Sequence, residues 1–90
     1  MLDAPTLLRE ARLRVTAPRV AVLNELAEHP HTDVDEIRAL VRRRLGAVST
    51  QAIYDVLKAL TDAGLLRRVE PAGRSARYEL NTHDNHHHVV

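Results

Sequence analysis

Val48-Ser-Thr-Gln-Ala-Ile-Tyr-Asp-Val-Leu-Lys-Ala-Leu-Thr-Asp-Ala-Gly64 carries a helix start, an apolar stripe and a glycine stop. Ser49 can accept a backbone N–H two or three residues on, and Gly64 suits the left-handed position that ends a helix. Ala52, Ile53, Val56, Leu57 and Leu60 recur at helical spacing and make one buried face. Ser49, Thr50, Gln51, Tyr54, Asp55 and Lys58 fall largely outside that stripe, so the first turn is crowded with groups that can hydrogen-bond. The pattern suits the second helix of a helix-turn-helix, whose N-terminal residues read base edges in the major groove. An ordinary amphipathic helix with a solvated polar face fits the same residues, because polar first turns are common around N-caps.

The residues after the helix favour the first reading. Leu65-Leu-Arg-Arg-Val-Glu70, Pro71-Ala-Gly-Arg-Ser75 and Ala76-Arg-Tyr-Glu-Leu80 describe a short hairpin with a basic turn containing Pro and Gly. A helix that runs straight into such a hairpin is the winged-helix arrangement.

Working outward to the N-terminus, residues 4–12 form a short helix with Pro5 in its first turn and Leu7, Leu8 and Ala11 as its apolar side. Thr16 caps a second helix that has Pro18 in its first turn and Val20, Leu23, Leu26 and Ala27 facing inward. A third helix starts at Thr32 or Asp33, where Asp33 and Glu36 have capping-box spacing and Val34, Ile37, Leu40 and Val41 form the stripe. The expected fold is mainly α with a small β hairpin, a winged helix-turn-helix of four helices plus a two-stranded antiparallel wing. Residues 1–80 make up this domain, and 81–90 form a separate His-rich segment.

Ninety residues make one small domain. A hydrophobic content of 44% is too high for a disordered chain. With no Phe or Trp the core must be aliphatic, and with no Cys there is neither a disulfide nor a thiolate metal site within these residues. No apolar run approaches the roughly 20 residues that span a bilayer, and Asp3, Arg9 and Glu10 break any signal-peptide pattern. The net charge is only +1, but the arginines cluster at Arg9, Arg12, Arg14 and Arg19, at Arg42, Arg43 and Arg44, and at Arg67, Arg68, Arg74 and Arg77. Acids fall mostly elsewhere, so charge balanced by count is expected to be polarised in space.

The ending Asn81-Thr-His-Asp-Asn-His-His-His-Val-Val90 invites a metal reading. In an extended segment His86 and His88 point to the same side, and imidazole is the commonest metal-binding side chain. Two histidines need further ligands to hold a divalent ion well. Glu79 on the preceding strand and His31 or His29 in the earlier loop are the candidates, and a solvated polar tail is the alternative.

Taken together and in order, six pieces carry a resemblance: Leu13-Arg-Val-Thr-Ala-Pro-Arg19, His31-Thr-Asp-Val-Asp-Glu-Ile37, Val48-Ser-Thr-Gln-Ala-Ile-Tyr54, Asp62-Ala-Gly-Leu-Leu-Arg67, Ala76-Arg-Tyr-Glu-Leu80 and His86-His-His-Val-Val90. The chain resembles the N-terminal DNA-binding domain of the ferric uptake regulator (Fur) family, and its ending looks most like the FurA/CatR-type branch. The resemblance implies a metal-responsive, homodimeric bacterial repressor in the cytoplasm, binding an A·T-rich inverted-repeat operator. Such proteins control iron homeostasis or oxidative-stress genes such as those of catalase-peroxidase. It implies Fe(II) or Mn(II) as regulatory ion, held by His31, Glu79, His86 and His88. It also implies that 81–90 are a hinge segment leading to a dimerisation domain beyond residue 90 that carries the structural Zn. This stretch would then be a monomer on its own, and need not bind metal by itself. For DNA it implies Ser49, Thr50, Gln51 and Tyr54 in the major groove, Arg14 in the minor groove and Arg19 near the phosphates. Narrow A·T-rich minor grooves attract arginine, which suits Arg14.

Asp55 departs from the family, which often has Arg after the Tyr. A carboxylate there either accepts from a cytosine amine or pairs with a neighbouring Arg. Three other functions compete: a winged-helix protein-interaction module, a peroxide-sensing repressor of the same family, and a hydrolase using Glu79 and the histidines. Glu79 stands where peroxide sensors tend to carry Asp, and no nucleophile sits beside a base, so a non-enzymatic metal sensor is expected.

Overall fold

The computed structural model describes residues 2–73 and 76–81. Helices α1 (Ala4–Glu10), α2 (Ala17–Glu28), α3 (Val34–Leu45) and α4 (Thr50–Asp62) are joined by a two-residue strand β1 (Thr32–Asp33) and followed by β2 (Leu66–Val69) and β3 (Arg77–Leu80). Each helix start is held by a side chain that takes up an orphan backbone N–H. Asp3 accepts from Thr6 at 3.2 Å, Thr16 from Arg19 at 3.4 Å, Asp33 from Glu36 at 2.9 Å and Ser49 from Ala52 at 3.0 Å.

The helix ends are as well defined. At the end of α4, Gly64 takes φ +83° while its N–H reaches Thr61 O and the Leu65 N–H reaches Leu60 O, closing the turn with both bonds of a Schellman motif. The first helix ends two residues before the expected position 12. Arg12 takes the left-handed role at φ 64°, and the Leu13 N–H returns to Leu8 O. That reversal lets Leu13 fold back onto the core beside Leu8.

The core is aliphatic with one ring: Leu8, Val22, Leu23, Leu26, Ile37, Val41, Ile53, Leu57, Leu60 and Leu66 are buried, and Tyr78 closes it from β3. Of the expected α4 stripe, Ile53, Val56, Leu57 and Leu60 are buried and Ala52 is half-buried. The hub of the packing is α2, which touches α1, α3, α4 and β3. Its buried residues Ala21, Val22, Leu23, Glu25 and Leu26 run round the helix rather than along one stripe, as a central helix requires, whereas Ala27 is exposed.

The wing has three strands, in the order β1-β3-β2, where two were expected. Thr32 pairs antiparallel with Tyr78 and Asp33 with Arg77, and β2 pairs with β3 from Leu66↔Leu80 to Val69↔Arg77. Two residues are too few to show the alternation by which a strand is recognised, and Asp33 already reads as a helix cap. The consequence for function is direct: β1 ties the loop before α3 to the strand that carries Glu79.

Candidate nucleic-acid interface and metal corner

The solvent side of α4 is polar for physical reasons that begin in its sequence. Once Ile53, Val56, Leu57 and Leu60 face the core, Thr50, Gln51, Tyr54, Asp55 and Lys58 must face water, and all five are exposed. Tyr54 is 47% exposed, a large apolar ring left outside in a chain that has only two tyrosines. Three side-chain bonds organise this face. Arg38 on α3 donates from Nη1 to Thr50 Oγ1 at 3.2 Å, Gln51 donates from Nε2 to Asp55 Oδ1 at 2.9 Å, and Lys58 donates to Asp62 at 2.9 Å. The Asp62 carboxylate holds the Lys58 ammonium above the usual lysine range. Arg38 has no place among the residues expected from sequence. Its position on a neighbouring helix, twelve residues before Thr50, left no local signal.

A shallow groove of about 410 Å³ separates this face from the wing and is lined by Tyr54, Lys58, Thr61, Arg68 and Tyr78. Arg68 bonds the Tyr78 hydroxyl and the Glu70 carboxylate, which together raise its pKa above the ordinary arginine value. Arg14 lies exposed in the loop between α1 and α2, and among the described residues no hydrogen bond or ion pair engages its guanidinium. Arg19 is placed differently. Its Nη1 donates to the Arg14 carbonyl at 2.9 Å, so this side chain braces the loop that presents Arg14.

The expected spatial segregation of charge is only partly realised. Arg44 pairs with buried Glu25 and reaches Glu28 at 3.9 Å, Arg67 pairs with Glu79, and Arg68 with Glu70. Glu25 and Glu79 are distant in sequence from their arginines, so spacing along the chain could not reveal these pairs. The Glu25 hydrogen bond is the first cause, and its charge the second, of a raised Arg44 pKa. Glu25, Glu28 and His29 also bring their ligand atoms within 4.8 Å of one another. Arg44 already supplies the cation there, which makes this cluster an ion-pair clasp between α2 and α3.

The metal candidates divide. His31 sits in the turn before β1 at φ 63°, a left-handed conformation that an L-residue adopts at a cost of roughly 1–2 kcal/mol. The Thr32 hydroxyl donates to the His29 carbonyl inside this turn, and buried Thr32 anchors it to β3. His31 Nδ1 thereby lies 3.3 Å from Glu79 Oε1. Arg67, directly opposite Glu79 on β2, places Nε at 3.2 Å and Nη2 at 2.8 Å from Oε2. One imidazole nitrogen and one carboxylate oxygen suit a divalent transition-metal ion such as Mn(II), Fe(II) or Zn(II), and they are two ligands of the four or more that such an ion takes. His86 and His88, the other two expected ligands, lie outside the described residues, as does Arg74 of the wing turn.

Known proteins resemble this chain in sequence and in fold. The family model of the ferric uptake regulator family matches residues 10–90. The chain is 55% identical over 89 residues to Ferric uptake regulation protein 1 of Mycolicibacterium fortuitum, covering 99% of this chain and 55% of that protein. It is 58% identical over 83 residues to the transcriptional regulator FurA of Mycobacterium tuberculosis, covering 92% of this chain and 56% of that one. In structure it superposes with a TM-score of 0.79 on the ferric uptake regulator of Pseudomonas aeruginosa solved with manganese, at 29% identity over 89% of this chain and 61% of that one. The chain thus spans little more than half the length of the curated relatives it matches. Winged-helix architecture, motif order and matched length converge on one assignment: this chain belongs to the ferric uptake regulator family.

Proposed function

We propose that residues 1–80 are the DNA-reading part of a metal-responsive transcriptional repressor, and that 81–90 lead into a dimerisation domain of the whole protein. The observation that carries this reading is the exposed face of α4. Thr50, Gln51 and Tyr54 stand out from a helix anchored by Ile53, Val56, Leu57 and Leu60, in a chain related to transcriptional regulators. Ser49 caps the helix and offers its hydroxyl at the same end. Gln51 supplies an amide for an adenine edge and Tyr54 an apolar ring for a thymine methyl. Arg14 enters the adjoining minor groove, while Arg19 braces its loop and adds charge near the phosphates.

The second half of the proposal is the switch. His31 and Glu79, joined by His86 and His88, would hold Fe(II) or Mn(II), a choice in keeping with the manganese in the Pseudomonas relative. Bound there by His31, Glu79, His86 and His88, such an ion would supply a fixed positive charge linking a loop, a wing strand and the hinge segment, and would bias the orientation of the reading head by its differential affinity for one arrangement. The chain's own part is to hold His31 and Glu79 side by side in advance. The molecule works by binding DNA rather than by catalysis, as a homodimer in the bacterial cytoplasm. Among the described residues no helix is long and apolar enough to cross a membrane.

The test is a titration of the chain against an A·T-rich inverted-repeat duplex and a scrambled duplex, with and without Mn(II). Operator-preferring binding is expected, with a steep loss as salt rises. Equal binding to both duplexes at every salt and metal concentration would favour the protein-interaction module.

A further inference from the structure

Asp55 is the residue on the α4 face that a DNA-binding surface should least tolerate. An exposed carboxylate entering a polyanionic groove is repelled by phosphate. The sequence left two outcomes open, a partner arginine or a base amine. Among the described residues no arginine or lysine pairs with Asp55; the nearby Lys58 turns to Asp62 instead, at 2.9 Å. The bond Asp55 does make is with Gln51, one helical turn earlier, whose Nε2 donates to Oδ1 at 2.9 Å. That bond orients both groups. The Gln51 nitrogen faces the Asp55 carboxylate, and both side chains lie on the same exposed face.

An ionised carboxylate only accepts hydrogen bonds. In the major groove the donors are the exocyclic amines, N4 of cytosine and N6 of adenine. They are not equivalent to a carboxylate. The adenine amine lies between two acceptors, its own N7 and O4 of the paired thymine, so the second carboxylate oxygen meets a lone pair on either side. The cytosine amine has an acceptor, O6 of the paired guanine, on one side only, and a C–H on the other. Given α4 as the recognition helix, we propose that Asp55, oriented by Gln51, is a specificity-determining residue that accepts a hydrogen bond from N4 of a cytosine in the operator. Repulsion from phosphate then works for discrimination, because every base that offers no amine leaves the carboxylate uncompensated.

The test measures base preference position by position, using the full chain and a randomised pool of duplexes, for the unsubstituted protein and for Asp55→Ala, Asp55→Asn and Gln51→Ala. A bidentate pair to a base discriminates by roughly 5- to 150-fold, so a single bond is expected to give a preference for cytosine at the low end of that range, about fivefold, at one position of each half-site. Asp55→Ala should flatten that position, with a smaller loss at the position read by Gln51, while binding to random DNA is unchanged or tighter. Asp55→Asn should move the preference toward adenine, because a carboxamide both donates to N7 and accepts from N6. Gln51→Ala should lower the cytosine preference without abolishing it. A cytosine preference that survives Asp55→Ala, or preferences that include no cytosine, overturns the role of Asp55 and leaves α4 as the recognition helix. An unsubstituted chain with no base preference overturns both.

Discussion

The exposed face of α4 and the corner where His31 meets Glu79 are both polar surfaces laid on one aliphatic core, but they are built in opposite ways. The α4 face is made almost wholly within a single helix. Its cap, its i,i+4 bonds and its apolar stripe are local, and only Arg38 of α3, bonded to Thr50, comes from outside. The corner needs a loop in a left-handed conformation, a two-residue strand and the central strand of the wing to meet in one register. The first surface is a property of an element, the second a property of the fold. A reading head suits the first kind, since it must stay constant. A switch suits the second, since an ion can act only on parts that are able to move apart.

Strain is where this contrast can be broken most sharply. His31→Gly removes the imidazole proposed as a ligand and at the same time relieves the left-handed backbone, while glycine adds freedom to the unfolded chain. Folding stability in urea is expected to hold or to rise by up to about 1 kcal/mol. Mn(II) affinity measured by calorimetry should fall by at least about tenfold, since even outer-shell changes at metal sites cost that much. A variant that folds less stably and keeps its metal would mean that the conformation of His31 serves packing alone. DNA binding in the absence of metal should not change, because nothing on α4 depends on this turn.

A smaller effect separates the two carboxylates. Glu79 and Asp55 are both acids with a nitrogen partner, yet Arg67 is a cation and Gln51 is not. Arg67 occupies Oε2 of Glu79 and competes with any ion for it. The guanidinium is 53% exposed, and exposed pairs of this kind contribute only about 0.2–1 kcal/mol. Arg67→Gln should therefore tighten Mn(II) binding by no more than about fivefold. Looser binding would show that Arg67 instead holds Glu79 in place for the ion.

Legibility in the sequence divides along the same line. Thr16, Asp33 and Ser49 were readable as caps because each bonds a backbone N–H three residues on. The α4 stripe and the wing hairpin were readable from their periods. The third strand was not, since Thr32–Asp33 is too short to show one. Nor was the central place of α2, whose apolar residues surround the helix and give no single stripe to follow. Chemistry alone proposed His31 or His29 beside Glu79 and could not choose. The resemblance implies His31, whose Nδ1 lies 3.3 Å from Glu79 Oε1. Arg44–Glu25, Arg67–Glu79 and Arg38–Thr50 are pairings across elements, invisible until the elements are packed.

Asp3 provides the smallest effect and a control, because it caps α1 and takes no part in either surface. The Thr6 hydroxyl donates to Oδ2 at 2.8 Å and the Thr6 N–H to Oδ1 at 3.2 Å, and these two bonds, in that order, hold the Asp3 carboxyl below its ordinary value. A carboxyl whose folded-state pKa is depressed stabilises the fold above its unfolded value, near 4 for an aspartate, and loses that contribution as pH falls through the lower folded-state value. Below both values the bonds to Thr6 contribute no pH dependence at all. Asp3→Asn should therefore reduce the slope of stability against pH only in the acid range under about pH 4, as read by urea unfolding at a series of pH values. Base preference and Mn(II) affinity at neutral pH should match those of the unsubstituted chain. A change in either would mean that α1, which packs on α2, transmits its state through that central helix to the face or to the corner, and the two surfaces would then share a control that their separate construction argues against.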